Sequence, residues 1–466
     1  MQSNLNNTAV DTTASSGDIK LSVSEKICYG LGNTSAYIIY TLMGSLLTFF
    51  YTDYVGISAG IVGSIFLISR VFDGVSDVIM GHITDHTHSK FGKARAWLLW
   101  MAVPYFITGI ALFLIPADAP DMMQYVYIFI TYNLANTVVY TATNLPYGTL
   151  ATLMTRGQHE REVLNVFRMA LGPFGGLLIT ACTLPLVKKF GDNQMAWILV
   201  MGAWMILGTI LQLITFFKCK ERVHIEAAKK SDVPFLKSLK ALIMNKYWLI
   251  SMLLWCVLSV YGTFNGTSLP YYCKNILGDS VISSPISTCE TLIQIVVIAC
   301  MPKFLQKFGK RNCALAGAIL VLIAQIPLLI APTELPCLIV SAVLRGVGVS
   351  PLFAVVFSFL ADSVEYGQWR THLRTEGMVM SAASLGSKVG GGFASAIVGK
   401  ILTSSGYDGM ASVQSASANA AVSGMYRFAP LIIWGAAVIL LLCYQLDKKY
   451  PKIMADLKAR EEHGEL

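Results

Sequence analysis

The sequence predicts an all-α membrane protein with twelve transmembrane helices in two six-helix halves. Three observations support this fold class: the composition, the number of long apolar segments, and a basic turn that occurs once in each half. Of the 466 residues, 55% are hydrophobic and 13% are charged, and the mean hydropathy is +0.59. Soluble proteins have about a quarter of their residues charged, so this composition disfavours a soluble enzyme.

About twelve apolar segments are long enough to cross a bilayer, which takes about 20 residues per helix. They are too long and too uniformly apolar for barrel strands, whose signature is a short alternating pattern. The predicted spans are residues 27–51, 58–84, 97–115, 124–152, 163–187, 196–217, 246–272, 279–301, 313–331, 336–362, 376–402 and 427–446.

The segments outside these spans divide the chain further. Residues 1–24 are polar and rich in Ser, Thr and Asn, so we expect a disordered cytoplasmic tail rather than a cleaved signal. The predicted order is then an N-terminal half over 25–217, a cytoplasmic linker over 218–245, a C-terminal half over 246–447 and a cytoplasmic tail over 448–466. The ten cysteines show no metal-binding spacing. Basic residues are too sparse for a nucleic-acid partner.

The positions of Lys and Arg predict the orientation, because cytoplasmic loops hold their excess. With the amino terminus inside, most of the 35 Lys and Arg residues fall in inside segments. The outside loops contain only Lys188, Lys189, Lys274 and Arg427. We therefore expect both termini to be cytoplasmic.

A basic turn follows the second predicted helix of each half. It reads KFGKAR at residues 90–95 and KFGKR at residues 307–311. A duplicated six-helix unit is typical of transporters built from repeats, whose substrate site lies between the halves near the midplane. The alternative is that each turn only anchors a helix end among lipid headgroups.

Two carboxylates lie inside the second predicted helix. Asp73 and Asp77 are four residues apart, so both lie on one helix face, with Ser76 beside them and Arg70 one turn earlier. Two carboxylates in a low-dielectric site repel each other unless a cation or a proton lies between them. This pair predicts a coupling-ion site. A structural ion pair of Arg70 with one aspartate is the alternative.

Polar residues in other helices suggest a substrate site. Proline 146 interrupts helix four beside a stripe of aromatic, hydroxyl and amide side chains, which suits a sugar; polar contacts between helices are the alternative. The stripe consists of Tyr140, Thr141, Thr143, Asn144 and Tyr147. Arg168 and Lys388 come from opposite halves and point, in a two-half bundle, at a central cavity. Glycines 386 and 390–392 around Lys388 allow close helix packing or bending.

Charged residues also cluster at the cytoplasmic ends of the predicted helices. Asp362, Glu365 and Arg374 are candidates for a gate of ion pairs between the halves, with solvated loop charge as the alternative. The three histidines at 82, 86 and 88 fit a surface role better than a metal site.

Six ordered motifs carry a family resemblance. They are residues 29–32 (YGLG), 50–53 (FYTD), 70–77 (RVFDGVSD), 90–95 (KFGKAR), 144–148 (NLPYG) and 361–367 (ADSVEYG). Over residues 25–450 their combination resembles the glycoside, pentoside and hexuronide cation symporters, the branch of the major facilitator superfamily that includes melibiose permease. The resemblance implies the major facilitator fold and cation-coupled sugar transport rather than enzymatic activity.

The resemblance also implies roles for single residues. The cation site is Asp73, Asp77, Ser76 and Thr141. The substrate-binding residues are Tyr37, Tyr140, Asn144, Arg168, Phe353, Ser384 and Lys388. Tyr37 and Asn144 stand where melibiose permease has two sugar-binding carboxylates, and Gly148 and Phe353 where it has two tryptophans. The loss of two negative charges favours an anionic substrate by charge balance.

We therefore expect a secondary transporter that moves a sugar, a glycoside, a sugar acid or a sulfonated sugar together with Na⁺ or H⁺. It needs no cofactor beyond the coupling ion and binds no metal other than Na⁺ at Asp73 and Asp77. We expect a monomer surrounded by lipid in a bacterial inner (plasma) membrane. Export of a small organic anion and lipid transport on the same fold are the alternatives. No catalytic constellation or channel filter sequence is present in the predicted helices.

Overall fold

The computed structural model describes residues 20–116, 119–155, 158–223, 242–371, 376–411 and 413–462. All regular secondary structure in these ranges is helical. The twelve main helices are α1 Val23–Asp53, α2 Ala59–Asp85, α3 Arg95–Trp100 with Ala102–Ala111, α4 Asp121–Met154, α5 Gln158–Lys189, α6 Gln194–Lys218, α7 Lys246–Ile276, α8 Ser283–Phe308, α9 Lys310–Ala324 with Ile326–Ile330, α10 Leu335–Thr371, α11 Glu376–Ser404 and α12 Ala416–Cys443. A thirteenth helix, α13, spans Leu446–Glu462.

Nine of these helices are long and apolar enough to cross a membrane, counting described residues alone. The three others, α3, α4 and α11, coincide with the predicted spans 97–115, 124–152 and 376–402. The α3 helix is interrupted at Met101. In α4 the middle turn widens into a π-helix over Asn133–Tyr140, and α1 has a similar π-helix over Leu42–Leu46. The prediction of an all-α membrane protein is confirmed.

Polar caps decide where several helices begin. The Ser22 hydroxyl accepts from the Glu25 amide at 3.2 Å, and the Glu25 carboxylate accepts from the Ser22 amide at 3.0 Å, which forms a capping box at α1. Asn245 caps α7 and Ser415 caps α12 in the same position. Because of its cap, α12 begins at Ala416, well before its predicted apolar span at 427–446.

Each half buries its own helix contacts, and the halves meet along two main seams. In the first half α1 packs against α5 and α6, and in the second half α7 packs against α11 and α12. The contacts between the halves run along α2 with α11 and α5 with α8. Further contacts join α1 to α7, and the region between the two seams, beside α1, α4, α7 and α10, is called the central space.

The two basic turns make the same contacts in the two halves. The Arg95 Nε donates to the Phe216 carbonyl of α6 at 2.6 Å, and the Arg311 Nε donates to the Leu441 carbonyl of α12 at 2.8 Å. An acid after each of those helices, Glu221 or Asp447, accepts from the arginine's own backbone amide. The turns therefore tie helices three and nine to helices six and twelve. This repetition supports the duplicated unit over simple headgroup anchoring.

The end of the bundle that carries both basic turns is called the basic end. The other end, near residues 53–58 and 404–415, is called the opposite end. Polar contacts join the halves at the opposite end. The Lys274 ammonium of α7 pairs with Asp53 of α1, and the Tyr271 hydroxyl lies 2.7 Å from the Thr52 hydroxyl. Lys188, in the last turn of α5, pairs with Asp279 of the other half at 2.6 Å. These contacts close the opposite end.

Candidate functional site

Asp73 lies at the centre of the first half and has a complete set of hydrogen bonds. The residue is 1% exposed. Its Oδ2 accepts from the Asn136 amide at 2.7 Å and from the Arg70 guanidinium at 3.2 Å, and its Oδ1 accepts from the Thr137 hydroxyl. Asn136 and Thr137 belong to the π-helix of α4, whose wider turn brings both toward α2. π-helical turns occur frequently at functional sites.

Asp77, one turn further along α2, has a different environment. Its Oδ2 pairs with the Lys388 ammonium of α11, and its Oδ1 accepts from the Thr141 hydroxyl at 3.3 Å. About a third of its side chain is exposed, compared with 24% for Lys388. The ion pair crosses from one half to the other. Asp77 is therefore the carboxylate that is both accessible and held by a movable partner.

The remaining cation-site residues lie close to these carboxylates. The Ser76 hydroxyl donates to the Thr137 carbonyl, so its proton is engaged with α4 while its oxygen remains an acceptor. Oxygen atoms of this kind suit a hard monovalent cation, and a carboxylate alone suffices for a proton. The structure thus brings Asp73, Asp77, Ser76 and Thr141 together between α2 and α4.

Close packing of α11 places Lys388 opposite Asp77. A Cβ atom at Gly390 would lie 2.5 Å from the Cys256 sulfur of α7, and one at Gly392 would lie 2.6 Å from the Arg70 Cγ of α2. Only glycine allows both approaches. The predicted role of these glycines in helix packing agrees with their positions.

An aromatic surface from α1 and α4 lines the space between the halves. The rings of Tyr40 and Tyr140 stack with centroids 6.1 Å apart, and Tyr37 lies 6.2 Å from Tyr40. Tyr40 is 45% exposed although it sits on an inner helix beside fully buried neighbours. Sequence analysis did not select Tyr40, because its exposure depends on which helices stand opposite α1.

Arg168 provides the positive charge of the first half near this surface. Its guanidinium carbon lies 5.2 Å from the centroid of the Tyr147 ring, and a Cβ atom at Gly148 would lie 3.8 Å from its Nη1. Its Nε is buried without a hydrogen-bond partner in the described part of the chain. Asn144 is half-buried one helical turn before Gly148. The absence of a side chain at Gly148 leaves space beside Arg168.

The substrate-site candidates of the second half are more dispersed. Ser384 lies one turn before Lys388 on α11 and is half-buried. Phe353 of α10 packs against the apolar core of the second half and is partly exposed.

Two of the three gating candidates, Asp362 and Glu365, contact partners in their own half in this conformation. Asp362 accepts from the Lys310 ammonium at 2.6 Å and 3.0 Å, and Glu365 accepts from the Tyr450 hydroxyl. Both partners belong to the second half and its terminal helix α13. Arg374 lies outside the described residues. No group of three or more His, Cys, Asp or Glu side chains that could hold a metal occurs within the described ranges.

A twelve-helix bundle made of two similar halves, joined by an ion pair between charged side chains of α2 and α11, defines a membrane transporter of the major facilitator class. Comparison with known proteins agrees. A family model described as MFS/sugar transport protein matches residues 28–448, and the chain belongs to that family. It is an integral membrane transporter and not an enzyme, as predicted.

Two relatives and one solved structure show the extent of the similarity. The isoprimeverose transporter of Lactiplantibacillus pentosus is 32% identical over 94% of this chain and 91% of its own. The putative glycoside/cation symporter YagG of Escherichia coli (strain K12) is 29% identical over 96% of this chain and 97% of its own. A bacterial homologue of the lysosomal transporter Spinster is 11% identical with a TM-score of 0.64, covering 92% of this chain and 97% of that one, which shows the shared fold. The predicted fold and transporter class are confirmed.

Proposed function

We propose that the protein is a symporter that couples the movement of a sugar, glycoside or sugar acid to a cation by alternating access. The observation that carries the proposal is the ion pair between Asp77 and Lys388, because it joins the candidate cation site of one half to the other half. Two relatives whose names specify glycoside or isoprimeverose transport support the substrate class.

The ion pair suggests how the two ligands are coupled. A cation that binds at Asp77 competes with the Lys388 ammonium, because two positive charges beside one carboxylate in a low-dielectric site repel each other. Lys388 is then released toward the central space, where its three donors can reach substrate oxygens. Each ligand therefore raises the affinity for the other, which is the thermodynamic requirement for coupled binding.

Asp73 and Asp77 differ in what they can contribute to this exchange. Asp73 already accepts three hydrogen bonds and is buried, whereas Asp77 has one long hydrogen bond besides its ion pair. Asp77 is thus the carboxylate that exchanges the Lys388 ammonium for the coupling cation, and Asp73 holds Arg70 and α4 in place around it. The coupling ion is Na⁺ or H⁺.

The central space favours a substrate with a ring and an acidic group. Tyr40 and Tyr140 offer aromatic faces to the apolar face of a sugar ring. The Arg168 Nε lacks a hydrogen-bond partner in the described part of the chain, and Arg168 takes part in none of its salt bridges. A carboxylate or sulfonate would satisfy it by a charge-assisted hydrogen bond. A sugar acid or sulfonated sugar is the favoured substrate, with a neutral glycoside second.

The orientation follows from the basic turns. Because positive loops remain cytoplasmic, the basic end faces the cytoplasm, both termini lie there, and residues 218–245 link the two halves on that side. The closed opposite end then faces outward. We place the protein in a bacterial inner membrane, as a monomer within lipid.

Uptake into proteoliposomes tests the proposal. Glucuronides, sulfonated sugars, xylosides and galactosides are offered under a sodium gradient or a proton gradient, applied separately. Accumulation above equilibrium under one gradient identifies the ion and the substrate class. Failure of all substrates under both gradients would reject symport.

Substitution of Asp77 tests the cation site. Asp77→Asn should abolish accumulation while substrate exchange across the vesicle membrane continues, because only the ion-binding charge is removed. The matched control is Asp121→Asn, which changes an exposed aspartate at the start of α4. Normal accumulation by the Asp77 variant would refute the assignment.

Charge at position 144 tests the substrate class. Asn144→Asp restores a carboxylate on the α4 stripe and should weaken an anionic sugar far more than a neutral one. Equal weakening of both would contradict an anionic substrate.

A further inference from the structure

A second carboxylate, largely shielded from solvent, occupies the equivalent position in the other half. Glu290 of α8 lies seventeen residues before the basic turn that begins at Lys307, and Asp73 of α2 lies seventeen residues before the turn that begins at Lys90. Both are on the second helix of their half, and both helices form the seams between the halves. The duplicated unit thus places one carboxylate in each half, on the helix of that half that also forms a seam.

The two carboxylates also have the same kinds of hydrogen-bond donor. Asp73 accepts from a guanidinium, an amide and a hydroxyl, as described above. Glu290 accepts from the Tyr261 hydroxyl at 3.0 Å, from the Asn265 amide at 3.3 Å and 3.4 Å, and lies 3.4 Å from the Arg345 guanidinium. The donors come from α7 and α10, so the similarity arises from packing and is absent from the local sequence.

The Glu290 cluster is less completely satisfied than the Asp73 cluster. Arg345 is fully buried, and its closest partner is the Tyr426 hydroxyl at 2.5 Å rather than Glu290. Its Nε and Nη1, and the Asn265 Oδ1, have no hydrogen-bond partner among the described residues. Of the Glu290 side chain, 13% is exposed. Glu290 is therefore held by longer hydrogen bonds than Asp73 and keeps more contact with solvent.

We propose that Glu290 is a second ion-coupling site, in the C-terminal half, and that the ion it takes is a proton. This inference rests on the proposed symport function and adds a site to it. A metal ion needs several oxygen ligands, and among the described neighbours of Glu290 only the Tyr261 hydroxyl and the Asn265 amide oxygen could add to its one carboxylate. A proton binds covalently to one carboxylate oxygen and needs no coordination shell.

The position of Glu290 connects its protonation to the movement of the halves. The charged and titratable groups around it are Tyr261 of α7, Arg345 of α10 and Tyr426 of α12. Protonation removes the negative charge that attracts Arg345 toward α8 and leaves that arginine to Tyr426. Since α8 packs against α5 of the other half, the change acts at a seam that must rearrange when the access side alternates.

Infrared titration of the purified protein tests the site without any substrate. The carbonyl stretch of a protonated carboxyl group appears as pH falls, and Glu290→Gln should lack one such pH-dependent band. Glu334→Gln, which alters an exposed glutamate in the loop before α10, should retain it. Identical titrating bands in the wild type and in Glu290→Gln would overturn the proposal.

A second variant covers the case in which Glu290→Gln fails to fold. Tyr261→Phe removes one hydrogen bond to the charged carboxylate, so the midpoint of the same band should move to higher pH. A midpoint that does not move shows a purely structural cluster and overturns the proposal. In vesicles, Glu290→Gln should lose accumulation driven by a pH gradient and keep substrate exchange. If Glu290→Gln retains accumulation under the pH gradient, the proposal for Glu290 is overturned. If the wild type shows no substrate exchange, the proposed symport function itself is rejected.

Discussion

The buried ion pair at the opposite end yields a quantitative prediction about conformation. Only 1% of the Asp53 side chain is exposed, compared with 34% of its partner Lys274. The carboxylate also accepts from the Thr52 hydroxyl at 2.6 Å and the Tyr407 hydroxyl at 2.8 Å. Lys274→Met removes the cation and leaves Asp53 buried beside neutral donors.

The expected shift follows from the burial. Removing one partner of a buried, hydrogen-bonded charge pair costs about 2–5 kcal/mol. The lower part of that range, about 2–3 kcal/mol, applies because two hydroxyl donors remain and Lys274 is partly exposed. At about 1.4 kcal/mol for each factor of ten, the ratio of closed to open opposite end should fall about 30- to 140-fold.

A second lysine at the same end provides the matched control. Lys188 pairs with Asp279 across the halves, but their side chains are 53% and 37% exposed. Exposed pairs contribute about 0–1 kcal/mol, so Lys188→Met should change the ratio by about fivefold at most.

Distances between spin labels measure the populations. Labels on Phe190 and Ser404, both exposed at the opposite end in different halves, report its opening in a chain whose native cysteines are replaced. Lys274→Met should shift the distances toward a longer population, and Lys188→Met should not. Equal distributions for the two variants would refute the argument from burial.

Three further outcomes are expected. Gly392→Ala should lower the thermal stability of the detergent-purified protein, because overpacking costs about 1–3 kcal/mol. The control Gly435→Ala should not lower it, because no heavy atom lies within 4 Å of the new Cβ. In a direct binding assay, Tyr40→Ala should weaken sugar binding about 2- to 12-fold, because an aromatic contact contributes about 0.5–1.5 kcal/mol. Tyr40→Phe keeps the ring and should preserve the affinity. The hydrogen bond from Lys188 lowers the pKa of Asp279. Asp279 should therefore titrate below the ordinary carboxyl pKa of about 4, and Lys188→Met should raise the midpoint of that titration, as measured by the pH dependence of the carboxyl carbon signal in aspartate-labelled protein by NMR.

Local rules account for the features that sequence analysis predicted. Apolar segment length indicated where the chain crosses the membrane, because unpaired backbone groups are not tolerated in lipid. The four-residue spacing of Asp73 and Asp77 placed both on one face, since a helix turn has 3.6 residues. Helix ends were less accurate: α12 begins at Ala416 because Ser415 caps an alanine-rich segment that is helical without being strongly apolar.

Nonlocal packing accounts for what sequence analysis missed. The π-helix that turns Asn136 toward Asp73 has no apolar signature, and the exposure of Tyr40 depends on which helices stand opposite it. The gating candidates Asp362 and Glu365 were expected to pair between halves, but in this conformation they contact Lys310 and Tyr450 of their own half.

The sequence by itself determined the membrane class, the duplicated six-helix unit and the family, because hydropathy, charge asymmetry and motif order are properties of the chain. Only the tertiary structure decided which charge pairs with which. Lys388 and Asp77 are 311 positions apart, and Glu290 meets Arg345 from another helix. Such partners are set by helix packing and by the glycines that allow close approach, so the pairing of charges follows from the fold.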